Sequence, residues 1–388
     1  MFSLYLSEGA PIGFIWWAMP TILRNMEVDV EKITSITALL VFPWIFKFLW
    51  APLVDTLRSK KHGFRTWIFI SQLVMGLALV PLLFISPATN LAYWIICLII
   101  HSLAAATQDV AIDAMVINSI ESSERGILNG YMQAGMLTGR SVFGGGALIM
   151  IPSLGLNIVM LLLIICVVIT MILLLFVKEP EFTRQTESRT KEVFTNLKTA
   201  FNNKNTWVVL FFALTSAAAF EVAGGLAGPF LTDLKVPEDK VGFFFLFPVV
   251  LSMLFGGLIG GRFSDRHNRN RSVKTFLIGF VACVFLLGAF QLLKISSDPM
   301  PYYILYTVMY FFVGMFTTSS YALFMDQTNP KIGATQFSTY MAATNGCESW
   351  TVWAAGKITG AAGYSYAFLV MGVISLFSFF LLKKIRNN

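Results

Sequence analysis

The sequence predicts an all-α membrane protein in which twelve transmembrane helices form two pseudo-symmetric six-helix bundles. Of the 388 residues, 56% are hydrophobic and 13% are charged, whereas roughly a quarter of a soluble domain is charged. Twelve apolar segments follow one another, each close to the ~20 residues that cross a bilayer. They lie near 3–23, 33–54, 66–86, 91–116, 126–150, 154–177, 206–231, 239–262, 274–294, 300–326, 333–356 and 363–383.

The secondary structure of these segments follows from their surroundings. A bilayer offers the backbone no hydrogen bonds, so an apolar segment that crosses it must bond within itself as a helix. The four cysteines lie singly in different segments, a pattern that predicts neither a zinc site nor a disulfide framework. We therefore expect no metal and no cofactor.

The distribution of basic residues predicts which side of the membrane each loop faces. Most Lys and Arg residues fall in every second loop and in the C-terminal tail. The positive-inside rule therefore places both termini in the cytoplasm. This topology and anionic lipid account for the net charge of +7, so we expect the lipid bilayer as a partner and no nucleic acid.

The chain reads as two related halves joined by a polar linker. Asp55 and Asp265 each follow an apolar segment and precede a basic cluster, and Asp113 and Asp326 recur at nearly the same offset. Such duplication is typical of secondary transporters, whose substrate lies near the bilayer midplane between the halves. We predict an N-terminal six-helix bundle at 1–178, a cytoplasmic linker at 179–204 and a C-terminal six-helix bundle at 205–388.

Two segments of the first half resemble a known family. FKFLWAPLVD (46–55) and ATQDVAIDA (106–114) resemble motifs of the AmpG-like permeases, a branch of the major facilitator superfamily. The resemblance implies the major facilitator fold and a secondary active transporter that imports cell-wall anhydromuropeptides across the bacterial inner membrane. The implied solute is a small molecule of the sugar-peptide or siderophore kind. The acids within the apolar segments predict protons as a second partner, and we expect a monomer.

Two departures from the family pattern leave the solute open. The family has an arginine where this chain has Gln133, and Arg140 follows two turns later on the same helix face. The segment SEGAPIGF (7–14) resembles instead the siderophore importers, a sister group. A muropeptide is the first expectation, a siderophore the second and an acyl-CoA the third.

A multispan membrane enzyme acting on lipid-linked substrates is the alternative from another class. Such an enzyme would gather polar residues in a long loop at one interface, whereas here the acids are spread through the apolar segments. No G-x-x-x-x-G-K-[ST], G-x-S-x-G or H-E-x-x-H motif occurs, so neither direct use of ATP nor a hydrolase is predicted. We expect no enzymatic activity.

Charged residues within the apolar segments are the candidate functional residues, because each costs ~2.5–3.5 kcal/mol at a helix centre. Lys47 and Asp109 lie at about the same depth, so we predict that they face each other. Two interpretations stay open: a permanent ion pair, or a pair that breaks when Asp109 takes a proton. Asp113 either passes protons inward or hydrogen-bonds at a loop. The predicted proton-coupling residues are Asp109, Asp113, Glu8 and Glu221.

Other polar and aromatic side chains are candidates for solute binding and gating. Arg140 is predicted to bind an anionic group or to pair internally with Glu348 or Asp113, and His101 is interpreted as a hydrogen-bonded core residue. The predicted solute-binding set is Arg140, Lys47, Gln108, Gln133, Tyr131, Trp16, Trp17, Asn345 and Glu348. Charge pairs at the cytoplasmic side predict a gate, formed by Asp55, Arg58, Asp265, Arg266, Arg269 and Asp326.

Overall fold

The computed structural model describes residues 1–56, 63–119, 125–177, 201–296, 298–328 and 333–385. No β-strand occurs in these ranges, and the all-α prediction is confirmed. The helices are α1 (Phe2–Gly13), α2 (Met19–Asn25), α3 (Val30–Thr56), α4 (Phe64–Leu79), α5 (Leu91–Ser119), α6 (Arg125–Arg140), α7 (Gly146–Leu154), α8 (Leu156–Leu174), α9 (Lys204–Thr215), α10 (Ala218–Asp233), α11 (Glu238–Phe244), α12 (Val250–Arg266), α13 (Arg269–Leu292), α14 (Met300–Asp326), α15 (Gly333–Ala362) and α16 (Tyr364–Leu382). Three π-helical segments, Phe14–Ala18, Ser141–Gly145 and Phe245–Val249, join α1 to α2, α6 to α7 and α11 to α12, and a 3₁₀ turn at Val80–Leu83 extends α4.

Ten helical stretches among these residues are long and apolar enough to cross a membrane. The remaining two predicted segments, 3–23 and 333–356, are helical as well, but they carry more polar side chains. Among those polar side chains are Glu8 in the first and Glu348 in the second. These two segments are therefore less apolar than the other ten, and each contains a candidate functional residue.

The chain divides into two compact units. The first comprises Met1–Val28, Leu39–Thr183 and Val236–Phe247. The second comprises Asp29–Ala38, Arg184–Lys235 and Pro248–Asn388. Each unit thus includes a short segment from the opposite half of the sequence. The six-helix halves at 1–178 and 205–388 stay a prediction, and the linker predicted between them lies almost entirely outside the described residues.

In the first unit, glycines let α1 and α6 cross with their backbones in contact. A Cβ atom at Gly9 would overlap the carbonyl oxygen of Met136, and one at Gly139 would overlap that of Leu6. Small residues allow such close approach between membrane helices. Apolar side chains of α1, α4, α5 and α6 pack into one cluster beside this crossing. The crossing therefore fixes which side chains of α1 and α6 can lie near each other.

The π-helical segments also meet in the first unit. The ring of Trp17 stacks on that of Phe245, with centroids 5.3 Å apart. The hydroxyl of Ser141 donates a hydrogen bond of 2.7 Å to the carbonyl oxygen of Leu246. Single π-helical turns occur frequently at functional sites, and one of these begins directly after Arg140.

In the second unit, α12 and α14 cross in a similar way, because Gly260 lies against the backbone of α14. The beginning of α3 packs on α15 through an ion pair between Glu31 and Lys357. The hydroxyl of Ser349 adds a hydrogen bond of 3.0 Å to the carbonyl oxygen of Ala38. These contacts account for the assignment of the first residues of α3 to this unit.

The α1–α6 crossing predicts that a single added methyl group destabilises the fold. We expect Gly9→Ala to lower the thermal unfolding midpoint in detergent, because overpacking costs ~1–3 kcal/mol. Gly76→Ala on α4 is the matched control, since nothing lies within 4 Å of a Cβ there. We expect this control to leave the midpoint unchanged or raise it, because Ala is the better helix former. Equal shifts in the two variants would contradict the close crossing.

Candidate functional site

Lys47 on α3 and Asp109 on α5 form an ion pair between Nζ and Oδ2. Their side chains are only 17% and 10% exposed. The contact that equal depth predicts is therefore confirmed. Removing one partner of a buried pair leaves the other charge uncompensated, which costs about 3–5 kcal/mol. The pair thus links α3 and α5 at the depth of these two residues.

Asp113, one turn further along α5, has a partner that the sequence reasoning missed. The hydroxyl of Tyr5 on α1 donates a hydrogen bond of 2.8 Å to Oδ1 of Asp113. Tyr5 lies three residues before Glu8, a spacing that places both side chains on one face of a helix. The spacing of Tyr5 and Glu8 is the feature of the sequence that points to this contact. The bond ties α1 to the same stretch of α5 that carries Asp109.

Glu8 is the buried acid with the least satisfied carboxyl group. It is 1% exposed, and its Oε2 has no hydrogen-bond partner among the described residues. The charges that act on it are those of Asp109, Lys47, Asp113 and Arg140. We call these five residues the charge cluster. Four helices, α1, α3, α5 and α6, supply its three carboxyl groups and two cations.

Arg140 is the last residue of α6, and its backbone lies against Gly13 of α1. Its Nε atom is buried and has no hydrogen-bond partner among the described residues. Both amide atoms of Gln108 on α5 are in the same condition, and Gln108 is fully buried. Buried polar atoms are normally paired. The unpaired atoms of Arg140 and Gln108 are therefore available to bind a ligand.

The predicted aromatic residues of the first unit occupy different surroundings. Trp16 packs edge-on against Trp44, with ring centroids 6.0 Å apart. Trp17 is buried against Phe245. Tyr131 and Gln133 on α6 are exposed. None of these side chains makes a hydrogen bond to the charge cluster among the described contacts, so their solute-binding role stays a prediction.

The predicted acids of the second unit gather around α15. The charge of Glu221 on α10 acts on Tyr310 of α14 and on Cys347 of α15. Glu348 also acts on Cys347, and Asn345 is half-buried on the same helix. These residues form a group within their own unit, and their roles in proton coupling and solute binding stay predictions.

One predicted gating residue, Arg269, contacts two others. Nε of Arg269 at the start of α13 lies 2.6 Å from Oδ2 of Asp326 at the end of α14. Its Nη1 lies 3.7 Å from Oδ1 of Asp265 on α12. Arg266 is exposed at the end of α12. The side chain of Asp55 and all of Arg58 lie outside the described residues, so the gate stays a prediction.

Comparisons with known proteins agree with this architecture. The chain matches the profile of the Major Facilitator Superfamily over residues 1–345 and 215–387. It is 25% identical to the anhydromuropeptide permease of Escherichia coli over 377 residues, which cover 94% of this chain and 75% of the permease. A Rickettsia conorii protein that bears the name AmpG 4 is 22% identical over 403 residues, covering 100% of this chain and 96% of its relative.

A solved structure supports the fold independently of the sequence. The crystal structure of a D-xylose-proton symporter superposes with a TM-score of 0.81 and 13% identity, covering 100% of this chain and 96% of the symporter. At this identity the likeness concerns the fold alone.

The buried ion pair predicts strong coupling between Lys47 and Asp109. We expect Lys47→Met and Asp109→Asn each to lower the free energy of unfolding by about 3–5 kcal/mol, and the double variant to lose much less than the sum. Denaturation of the purified protein in mixed micelles measures all three. Lys357→Met is the control, because its pair with Glu31 is 51% and 44% exposed and such pairs contribute about 0–1 kcal/mol. Additive effects of the two buried changes would contradict the pairing.

Proposed function

Because the chain belongs to the Major Facilitator Superfamily and is a membrane transporter, we propose that it imports a muropeptide-like solute together with protons. In this proposal, transport crosses the bacterial inner membrane by alternating access, and both termini face the cytoplasm. The likeness to the anhydromuropeptide permease supports the solute class. The observation that carries the proposal is the charge cluster, in which a satisfied ion pair adjoins an acid and an arginine with unpaired buried atoms.

Glu8 is the proposed proton carrier. A buried carboxylate with an oxygen that accepts no hydrogen bond is costly, and neutralising it by a proton reduces that cost. Asp109 and Asp113 each already have a partner, in Lys47 and Tyr5 respectively. Of the candidate acids in the first unit, Glu8 therefore gains most from taking a proton.

Arg140 is the proposed anchor for a carboxylate of the solute. Its guanidinium keeps its charge at every physiological pH and binds carboxylates through two parallel hydrogen bonds. The peptide part of a muropeptide supplies such carboxylates.

Electrostatics links the two proposed binding events. The charge of Arg140 acts on Glu8, and a bound carboxylate would offset that charge. Glu8 then takes a proton more readily when the solute is present. Because such coupling is reciprocal, the proton also strengthens binding of the anionic solute. This mutual preference is the thermodynamic requirement for carrying the two together.

Uptake into proteoliposomes under an imposed pH gradient tests the proposed function. We expect an anhydromuropeptide, but neither a siderophore nor an acyl-CoA, to enter faster when the outside is acidified. In Glu8→Gln we expect this acceleration to disappear, while exchange of labelled for unlabelled solute without a gradient continues. Faster entry of the siderophore instead would overturn the solute assignment and leave the transporter class intact. If acidification accelerates none of the three solutes, proton coupling is wrong.

Arg140→Gln is predicted to weaken binding of the anionic solute. Loss of a hydrogen bond to a charged group costs about 1.5–3 kcal/mol, which is roughly ten- to a hundredfold in Kd. Isothermal titration of the purified protein measures the change. The matched control is a solute whose carboxylates are amidated, which we expect wild type and variant to bind equally. A similar loss for the amidated solute would show that Arg140 supports the fold rather than the anion.

A further inference from the structure

A second set of buried polar groups lies between α1, α4 and α5, outside the charge cluster. It consists of Ser7, Gln72, His101, Ser102 and Gln108, and we call it the polar seam. All five side chains are at most 1% exposed. Atoms without a hydrogen-bond partner among the described residues occur in four of them, namely Gln72 Oε1, His101 Nε2, Ser102 Oγ and both amide atoms of Gln108.

The protonation of His101 follows from its one hydrogen bond. Its Nδ1 lies 3.0 Å from the carbonyl oxygen of Met75 on α4. A carbonyl oxygen only accepts, so Nδ1 must carry the proton. In the neutral ring, Nε2 is then an acceptor, and it is buried without a donor. The prediction that His101 is a hydrogen-bonded core residue is confirmed through Nδ1.

Gln72 carries the seam from α4 to α1. Its amide nitrogen donates a hydrogen bond of 3.4 Å to the hydroxyl oxygen of Ser7. The Ser7 hydroxyl in turn donates to the carbonyl oxygen of Leu4 at 2.8 Å. The Oε1 atom of Gln72 therefore remains an acceptor without a donor. Ser7 directly precedes Glu8, so this end of the seam lies in the same turn of α1 as Glu8.

The seam continues along α5 toward Asp109. His101 and Gln108 lie two turns apart and so share one face of the helix, about 10 Å from each other along its axis. Ser102 and Asp109 are also seven residues apart and share a neighbouring face of the helix. The unpaired atoms of α5 thus lie on two adjacent faces of the helix between His101 and Gln108, and Gln108 directly precedes Asp109 of the ion pair.

We propose that ordered water molecules occupy the polar seam and pass protons along it to Glu8. Water donates to acceptors such as Gln72 Oε1 and His101 Nε2, and a buried water usually makes about three hydrogen bonds. All the unpaired atoms of the seam belong to neutral groups. Water alone can therefore satisfy their hydrogen bonds, and no charged ligand is needed.

This inference rests on the proposed role of Glu8 as proton carrier. Each water that takes up a proton releases another to its neighbour, so one proton reaches Glu8 and nothing else is consumed. The charged groups that face Glu8 are Asp109 and Asp113 from α5, Lys47 from α3 and Arg140 from α6. The seam gives the proton a route that is separate from the solute bound at Arg140.

Radiolytic hydroxyl-radical footprinting of the purified wild-type protein tests for the water. Radicals formed from bound water oxidise the nearest methionine thioethers. Met75 and Met160 are both 0% exposed, but only Met75, through its backbone carbonyl oxygen, has a hydrogen bond to a seam residue among the described contacts. We expect Met75 to be oxidised several-fold faster than Met160. Equal rates would overturn the presence of water, whatever the transport measurements show.

Transport by two variants tests the delivery of protons. We expect Ser102→Ala and Gln72→Leu to slow uptake driven by a pH gradient several-fold and to leave solute exchange without a gradient within twofold of wild type. Ser378→Ala is the matched control, because this serine is also fully buried but its hydroxyl is satisfied by the carbonyl oxygen of Ser375. Unchanged driven uptake, or equal loss of driven uptake and exchange, would overturn proton delivery along the seam.

The two measurements separate this inference from the proposed function. If acidification does not accelerate uptake by the wild type, proton coupling fails, and proton delivery through the seam fails with it. Met75 oxidation would still report whether the seam holds water. If acidification accelerates uptake but Met75 is oxidised no faster than Met160, the transporter stays proton-coupled and the water route is wrong.

Discussion

The interior of a bilayer does not tolerate an uncompensated charge, and the ion pair of Lys47 with Asp109 meets that constraint. Inserting either group alone costs several kcal/mol, so α3 and α5 are stable at this depth only when their charges meet. The other contacts build on this pair. Tyr5 reaches Asp113 one turn away, which brings α1 to α5. The glycines of α1 then bring α6 and Arg140 to the same place.

The groups around this pair are satisfied to different degrees. Lys47, Asp109 and Asp113 have partners, whereas Glu8 and Arg140 retain buried atoms without one. A protein that only needed to fold would gain by pairing or removing such atoms. Violations of local rules are expected at functional sites. The unpaired atoms therefore mark where a proton and a solute are expected to bind.

Sequence reasoning succeeded where depth alone decides a contact. Lys47 and Asp109 could be matched by counting residues from the helix ends, because the rise per residue is constant. The bond from Tyr5 to Asp113 depends also on how α1 is rotated and tilted, which a single sequence does not determine. The π-helical segments after Gly13 and Arg140 shift the helical register without a compositional signature. Each unit also includes a short segment from the other half of the sequence, and this depends on long-range packing that the sequence does not determine.

The position of Arg140 links the unusual sequence to the proposed coupling. In the AmpG-like pattern an arginine is implied at Gln133, which here is an exposed position on α6. Arg140 lies two turns further along the same face, roughly 10 Å away, where α6 crosses α1 at Gly13. A cation at position 133 would be exposed, whereas Nε of Arg140 is buried. At position 140 the charge acts directly on Glu8. Arg140 therefore places the proposed anion site within electrostatic reach of the proposed proton site, which is what joint transport requires.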